Sequence, residues 1–107
     1  MTNINFYKKN NLILGFEVKG HTVKDDYEKD LLCCQTSTVA QLAIVGLENI
    51  KDLKFFQEIS DGYLKVKVES KYAENEIVQF LFNVCLDSFK SIIIDEKKYA
   101  KLEVKNV

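Results

Sequence analysis

An α+β fold is the architecture this sequence predicts: a two-layer sandwich in the order ββαββαβ, two helices packed on one mostly antiparallel sheet. Three observations carry the prediction. Four short stretches alternate apolar and polar residues with the period of two that a half-buried strand requires. Two longer stretches place apolar residues at helical spacing or around most of a helix's circumference. A last short alternating stretch closes the chain, and no repeat, low-complexity tract, linker or proline interrupts it.

Taken in order, Ile4 and Phe6 alternate with asparagines, Lys8-Lys9-Asn10-Asn11 makes a polar turn, and Leu12, Leu14, Phe16 and Val18 alternate again. That pattern is a hairpin ending at Gly20-His21. From Asp30 the run DLLCCQTSTVAQLAIVGLENI predicts a largely buried helix, with Gly46 near its end and Asn49 helping to stop it. A second hairpin runs from Lys54 to Ser60, turns at Asp61-Gly62 and continues from Tyr63 to Ser70, with Leu64, Val66 and Val68 on one face. A second helix is expected from near Ala73, its core stripe formed by Val78, Phe82, Cys85, Phe89 and Ile92. The closing strand is expected to turn Leu102 and Val104 inward. With both helices on one sheet face the other is short of cover, which a homodimer would supply.

The chain has 107 residues, 47% hydrophobic and 29% charged, and reads as one domain over residues 1–107. Fifteen basic and sixteen acidic side chains leave a net charge of −1, so neither nucleic acid nor an anionic membrane surface is an expected partner. The N-terminal residues alternate in polarity instead of following the layout of a signal peptide, and no run of 18 apolar residues marks a membrane span. Three cysteines, an odd count without an export signal, are expected as free thiols in a reducing cytoplasm.

Chemistry concentrates in GHTVKDDYEKDLLCC, Gly20 to Cys34, which holds the only histidine and two of the three cysteines. A thiolate is the nucleophilic form of cysteine, and a neighbouring histidine or a helix N-terminus favours it. Asp30 is a good N-cap residue and would set Cys33 in the first helical turn, where unpaired N–H groups could also serve an oxyanion. Ser37 lies one turn beyond Cys33 on the same face. The intervening loop is long enough to bring His21 to Cys33 at a closure cost of about 2 kcal/mol. Plainer readings stand beside this one: a surface histidine, cysteines packed as small hydrophobes, a solvated acidic loop or one steering a basic substrate. Cys85, inside an apolar stripe, reads as core. A metal site from His21, Cys33, Cys34 and Cys85 has suitable donors but the wrong spacing, and no cofactor is expected. On the residues alone, Cys33 and Cys34 are not separated.

Gly20-His21, a charged loop, Asp30-Leu31-Leu32-Cys33 and Ser37 together resemble the ribosomal-processing cysteine protease family, Prp, and the likeness extends over the order of elements along the whole chain. The resemblance implies a cytoplasmic, homodimeric, metal-free peptidase that removes the N-terminal extension of a large-subunit ribosomal protein, the twenty-seventh of its series. It implies His21 as general base and Cys33, not Cys34, as nucleophile, with Gly20, Asp30 and Ser37 supporting the site. Two departures stand out: Glu28 replaces a glycine usual in the family's loop, and Cys34-Gln35 replace small residues after the nucleophile. The competing expectation is a ribosome-associated module that binds a peptide or protein without cutting it.

Overall fold

The computed structural model describes residues 1–20 and 27–107, residues 27–30 in their backbone alone. Strands β1 (Thr2–Lys9) and β2 (Leu12–Lys19) form the first hairpin; helix α1 spans Tyr27–Glu48. Strands β3 (Phe55–Ser60) and β4 (Tyr63–Val68) form the second, followed by a short helix α2 (Ser70–Ala73), the long α3 (Glu76–Ile93) and strand β5 (Ala100–Asn106). The five strands lie in the order β3-β4-β2-β1-β5, antiparallel except that β5 runs parallel to β1. This is the predicted α+β sandwich, with one helix more than expected.

Local chemistry accounts for these elements. Asn10 and Asn11, both at positive φ (53° and 66°), form the two-residue turn between paired Lys9 and Leu12. Asparagine tolerates that left-handed region, and two such residues match the twist of a tight hairpin. A register shift beyond Tyr7 inserts one extra residue into β2, so that neighbours Ile13 and Leu14 are both buried where strict alternation would expose one. Gln79 of α3 receives the Ile13 N–H at 2.9 Å and donates to its carbonyl at 2.8 Å, fastening helix to bulge. At Gly15 a Cβ would lie 2.0 Å from the Val66 carbonyl oxygen, so only glycine lets β2 and β4 approach there.

Ile4, Phe6, Phe16, Val66, Val78, Phe82 and Phe89 are among the fully buried side chains between the sheet and the helices. Phe6 stacks on Phe16 at 4.9 Å between centroids, and Phe89 meets Phe16 edge-on at 5.4 Å. The α3 stripe is as predicted through Phe89, with Leu86 added; Ile92 is only half-buried, and Ile93 packs on the core. Leu31–Glu48 has the length and apolar character of a membrane span, and its place in the fold gives a reason: Ala40, Ala43, Ile44 and Leu47 sit in the core.

Four expectations need correction. Helix α1 is less buried than its composition suggested, because Leu42 and Val45 point away from the sheet and are exposed. The expected single helix from Ala73 is broken after Ala73, since the Asn75 side chain accepts from the N–H groups of Ile77 and Val78 and caps a new helix. Val104 is exposed while Leu102 packs on the core; β5 is an edge strand with a neighbour on one side only. Finally, the sheet face away from the helices is mostly polar, with Phe56 as its exposed large apolar side chain among the described residues, so it calls for less cover than expected. It carries Asn3, Asn5, Glu17, Lys19, Lys65 and Tyr63 in cross-strand register.

On that face the Glu17 carboxylate is buried, accepts from Tyr63 Oη (3.1 Å) and Asn5 Nδ2 (3.2 Å), and lies 3.6 Å from Lys19 Nζ. Burial pushes the carboxyl up, but hydrogen bonds from Tyr7, Tyr63 and Asn5 and the Lys19 charge outweigh it and hold Glu17 below the usual glutamate value. Burial, with Glu17 as neighbour, pushes the Tyr7 hydroxyl up to about 12.

Candidate active site

Strand β2 is followed directly by Gly20, whose backbone is held from two sides. Its N–H donates to the Gly62 carbonyl at 2.9 Å, and a Cβ built on it would fall 2.5 Å from the Met1 carbonyl oxygen. Its φ of +138° adds a conformational demand that glycine meets at least cost. The β3–β4 turn, Asp61-Gly62, is thereby tied to the end of β2.

A cleft of about 290 Å³ opens between this corner and α1. Gly20, Cys33 and Ser37 line it together, so the structure brings three of the five expected site residues to one place. Cys33 and Ser37 are half-buried, one helical turn apart on the same face. Cys34 is exposed and is not on the cleft wall; its carbonyl accepts from the Thr38 hydroxyl at 2.8 Å. The fold therefore separates the adjacent thiols that composition could not. Between Cys33 and Ser37, buried Thr36 spends its hydroxyl on the carbonyls of Leu32 (3.0 Å) and Cys33 (3.1 Å). His21 and the Asp30 side chain lie outside the described residues.

The expected start of α1 is overturned. The helix begins at Tyr27, three residues before the N-cap assigned to Asp30, so Asp30 falls inside its first turn. Cys33 then sits in the second turn, where its N–H belongs to the helical ladder and is not one of the unpaired amides at the end. The dipole's influence fades within the first turn, so the helix-terminus route to a thiolate and to an oxyanion donor loses its footing. Glu28 and Lys29 are good helix formers, and extending the helix through them gains hydrogen bonds that a cap at Asp30 would forgo. Among the described residues that line the cleft with Cys33, Ser37 is the hydroxyl one helical turn away on the same face.

Cys85 presents the opposite environment. It is 1% exposed, and burial pushes its thiol up to about 11, leaving almost no thiolate near neutral pH. Among the described residues no group of three His, Cys, Asp or Glu side chains could hold a metal ion.

Gln41, Ile59 and Asp61 are among the cleft residues that the sequence does not mark as site residues. Gln41 continues the Cys33–Ser37 spacing by one more turn, a signal that was available. Ile59 lies on the helix side of β3 yet is 62% exposed, and Asp61 was read only as a turn residue.

The sequence model of the family described as cysteine protease Prp matches residues 1–101. Comparison with curated proteins gives no match. Among solved structures, SMU.848 from Streptococcus mutans is similar over 100% of this chain and 99% of its own, with TM-score 0.89 and 21% identity. An essential ribosomal processing protease Prp from S. aureus, in complex with a substrate peptide, is similar over 98% of this chain and 100% of its own, with TM-score 0.86 and 15% identity. The same S. aureus protease with a covalently linked product peptide gives TM-score 0.84 and 16% identity over 98% of this chain and 100% of its own.

Proposed function

Because the chain belongs to the cysteine protease Prp family, we propose that it is an endopeptidase using Cys33 as nucleophile and His21 as general base. Its proposed substrate is the N-terminal extension of a large-subunit ribosomal protein, the twenty-seventh of its series. The observation that carries this reading is the cleft wall: Cys33 lines it with Gly20 and Ser37, while Cys34 lies outside and Cys85 is sealed in the core. A ribosomal processing protease of this fold with a peptide bound, the S. aureus protein, supports the substrate class.

In this mechanism His21 takes the thiol proton and the Cys33 thiolate attacks the scissile carbonyl carbon. The oxygen becomes an oxyanion, and the role assigned to the Ser37 hydroxyl is to donate a hydrogen bond to it. The tetrahedral intermediate collapses, the C–N bond breaks, and His21 returns its proton to the leaving amine. Water, deprotonated by His21, then attacks the thioester, releasing the carboxylate product and regenerating the thiol. Asp30 is assigned a supporting role within the first turn of α1.

The proposed setting is a cytoplasmic homodimer. The exposed apolar side chains Leu42 and Val45 of α1 and Ile77, Phe80 and Val84 of α3 offer a second copy more hydrophobic surface than the polar sheet face does.

Incubating the protein with a peptide spanning the extension and its junction tests the reading, with products followed by mass spectrometry. Parent and Cys34→Ala should cut once, whereas Cys33→Ala should be slower by about 10³-fold or more. Cleavage by Cys33→Ala at the parental rate would overturn the mechanism. Peptide binding without turnover in the parent would favour a non-enzymatic binding module.

A further inference from the structure

Asp61 is the only residue with a formal charge on the wall of the thiol cleft, among the described residues. It begins the two-residue turn between β3 and β4, and the Gly20–Gly62 hydrogen bond holds that turn against the end of β2. Across the cleft, α1 presents Cys33, Ser37 and Gln41 at four-residue spacing, about 6 Å of rise per step. Apolar Val18, Ala40, Ile59 and Leu64 and the hydroxyl-bearing Thr2, Thr36, Ser60 and Tyr63 also line it. None of the ion pairs among the described residues involves Asp61. The Asp61 carboxylate, exposed at the cleft rim and without an ion-pair partner among the described residues, gains from a positive charge arriving with the substrate.

Resting on the peptidase reading of this cleft, we propose that Asp61 is a specificity-determining residue that selects peptides carrying a lysine or arginine near the scissile bond. Cys33 and Gln41 are about 12 Å apart along the helix, and an extended peptide covers about 3.3 Å per residue, so the cleft spans three to four substrate residues from the reacting carbonyl. The basic side chain belongs within that distance, on whichever side of the bond faces the β3–β4 turn. Gln41, with an amide donor and acceptor, is placed to hold the backbone of the same segment. An aspartate before a glycine also suits a tight turn on its own account, which is why the decisive substitution is Asp61→Asn: it keeps the turn chemistry and removes only the charge.

The test uses the full chain as parent, Asp61→Asn and Asp61→Lys, each checked for parental circular dichroism. Junction peptides carry Lys, Gln or Glu in turn at each of the four positions on either side of the scissile bond. At one or more positions the parent should cleave the Lys peptide about three- to ten-fold better in kcat/KM than the Glu peptide at low salt. Asp61→Asn should bring that ratio close to one, Asp61→Lys should invert it, and about 1 M salt should flatten it in every variant. A ratio that Asp61→Asn leaves unchanged overturns the proposal while the peptidase reading stands.

The same peptides, fluorescently labelled, are titrated against Cys33→Ala and Cys33→Ala/Asp61→Asn by anisotropy. If the parent cuts none of the peptides while Cys33→Ala shows lysine-selective binding that needs Asp61, the selectivity stands and the peptidase reading is rejected. Neither cleavage nor charge-dependent binding rejects both.

Discussion

Helices α1 and α3 lie side by side on one face of the sheet, and Cys33 in the second turn of α1 and Cys85 midway along α3 have opposite fates. On α3 the apolar stripe is continuous, and Cys85 lies among Val78, Phe82 and Phe89 with 1% of its surface exposed. On α1 the core contact is concentrated in the later part of the helix, at Ala40, Ala43, Ile44 and Leu47, and Cys33 stands where the wall opens into the cleft. The same side chain is a small hydrophobe in one place and a candidate nucleophile in the other. Access and desolvation separate the two roles, because a thiol that cannot ionise cannot attack.

The largest effect that can break this contrast comes from Phe82→Ala. Phe82 is fully buried against Phe16, with centroids 6.3 Å apart, one turn from Cys85. Truncation leaves a cavity and should cost about 3–5 kcal/mol, read as a lower urea midpoint. It should also speed alkylation of Cys85, which in the parent stays unmodified while Cys34 reacts; peptide mapping after brief iodoacetamide treatment distinguishes them. A Cys85 that alkylates as fast as Cys34 in the parent would contradict the burial that keeps it inert.

Glu17 sharpens the contrast from the other face of the sheet. Burial pushes both the Cys85 thiol and the Glu17 carboxyl up, but Glu17 has donors from Tyr7, Tyr63 and Asn5 and ends lower than an ordinary glutamate, while Cys85 has no compensating partner. A carboxyl lowered by folding stabilises the native state above its unfolded-state value of about 4.3, and that contribution is lost as pH falls through the folded value. Glu17→Gln should therefore cost about 1–2 kcal/mol at pH 7 in urea titrations, and the gap from the parent should narrow as pH falls below the unfolded-state value and through the lower folded one. An unchanged gap would assign the loss to shape, not charge.

Where sequence and structure diverge, the reasons are physical. The hairpins were legible because alternation reports a half-buried sheet directly, and Asn10-Asn11 and Asp61-Gly62 declare their turns. The bulge at Leu14 was not, since both Ile13 and Leu14 are apolar and a strand reading absorbs either register. For the site, Gly20, Cys33 and Ser37 share one cleft wall, but choosing Cys33 over Cys34 from the sequence depends on a resemblance. Asp61 and Ile59 reach the cleft from a hairpin some 25 residues further along the chain, and no local pattern announces such a meeting. Apolar periodicity runs on through Ala73 and Val78 without recording that an asparagine between them ends one helix and begins another.

That asparagine supplies the smallest effect and the cleanest comparison of the two helix starts. Asn75 Oδ1 accepts from Ile77 N–H at 2.8 Å and Val78 N–H at 3.3 Å, satisfying two amides that would otherwise lack partners at the start of α3. Asn75→Ala removes both bonds and should cost about 1 kcal/mol, whereas Asn75→Asp should keep them and add a charge that the helix dipole favours. Asp30→Ala is the matching change on α1. Since α1 already begins at Tyr27, Asp30 occupies an interior position of the first turn and not the N-cap position. Urea denaturation of the three variants should therefore order them with Asn75→Ala least stable. If Asp30→Ala instead loses as much as Asn75→Ala, α1 begins at Asp30 in solution, and Cys33 returns to the first turn with its amide free to serve an oxyanion.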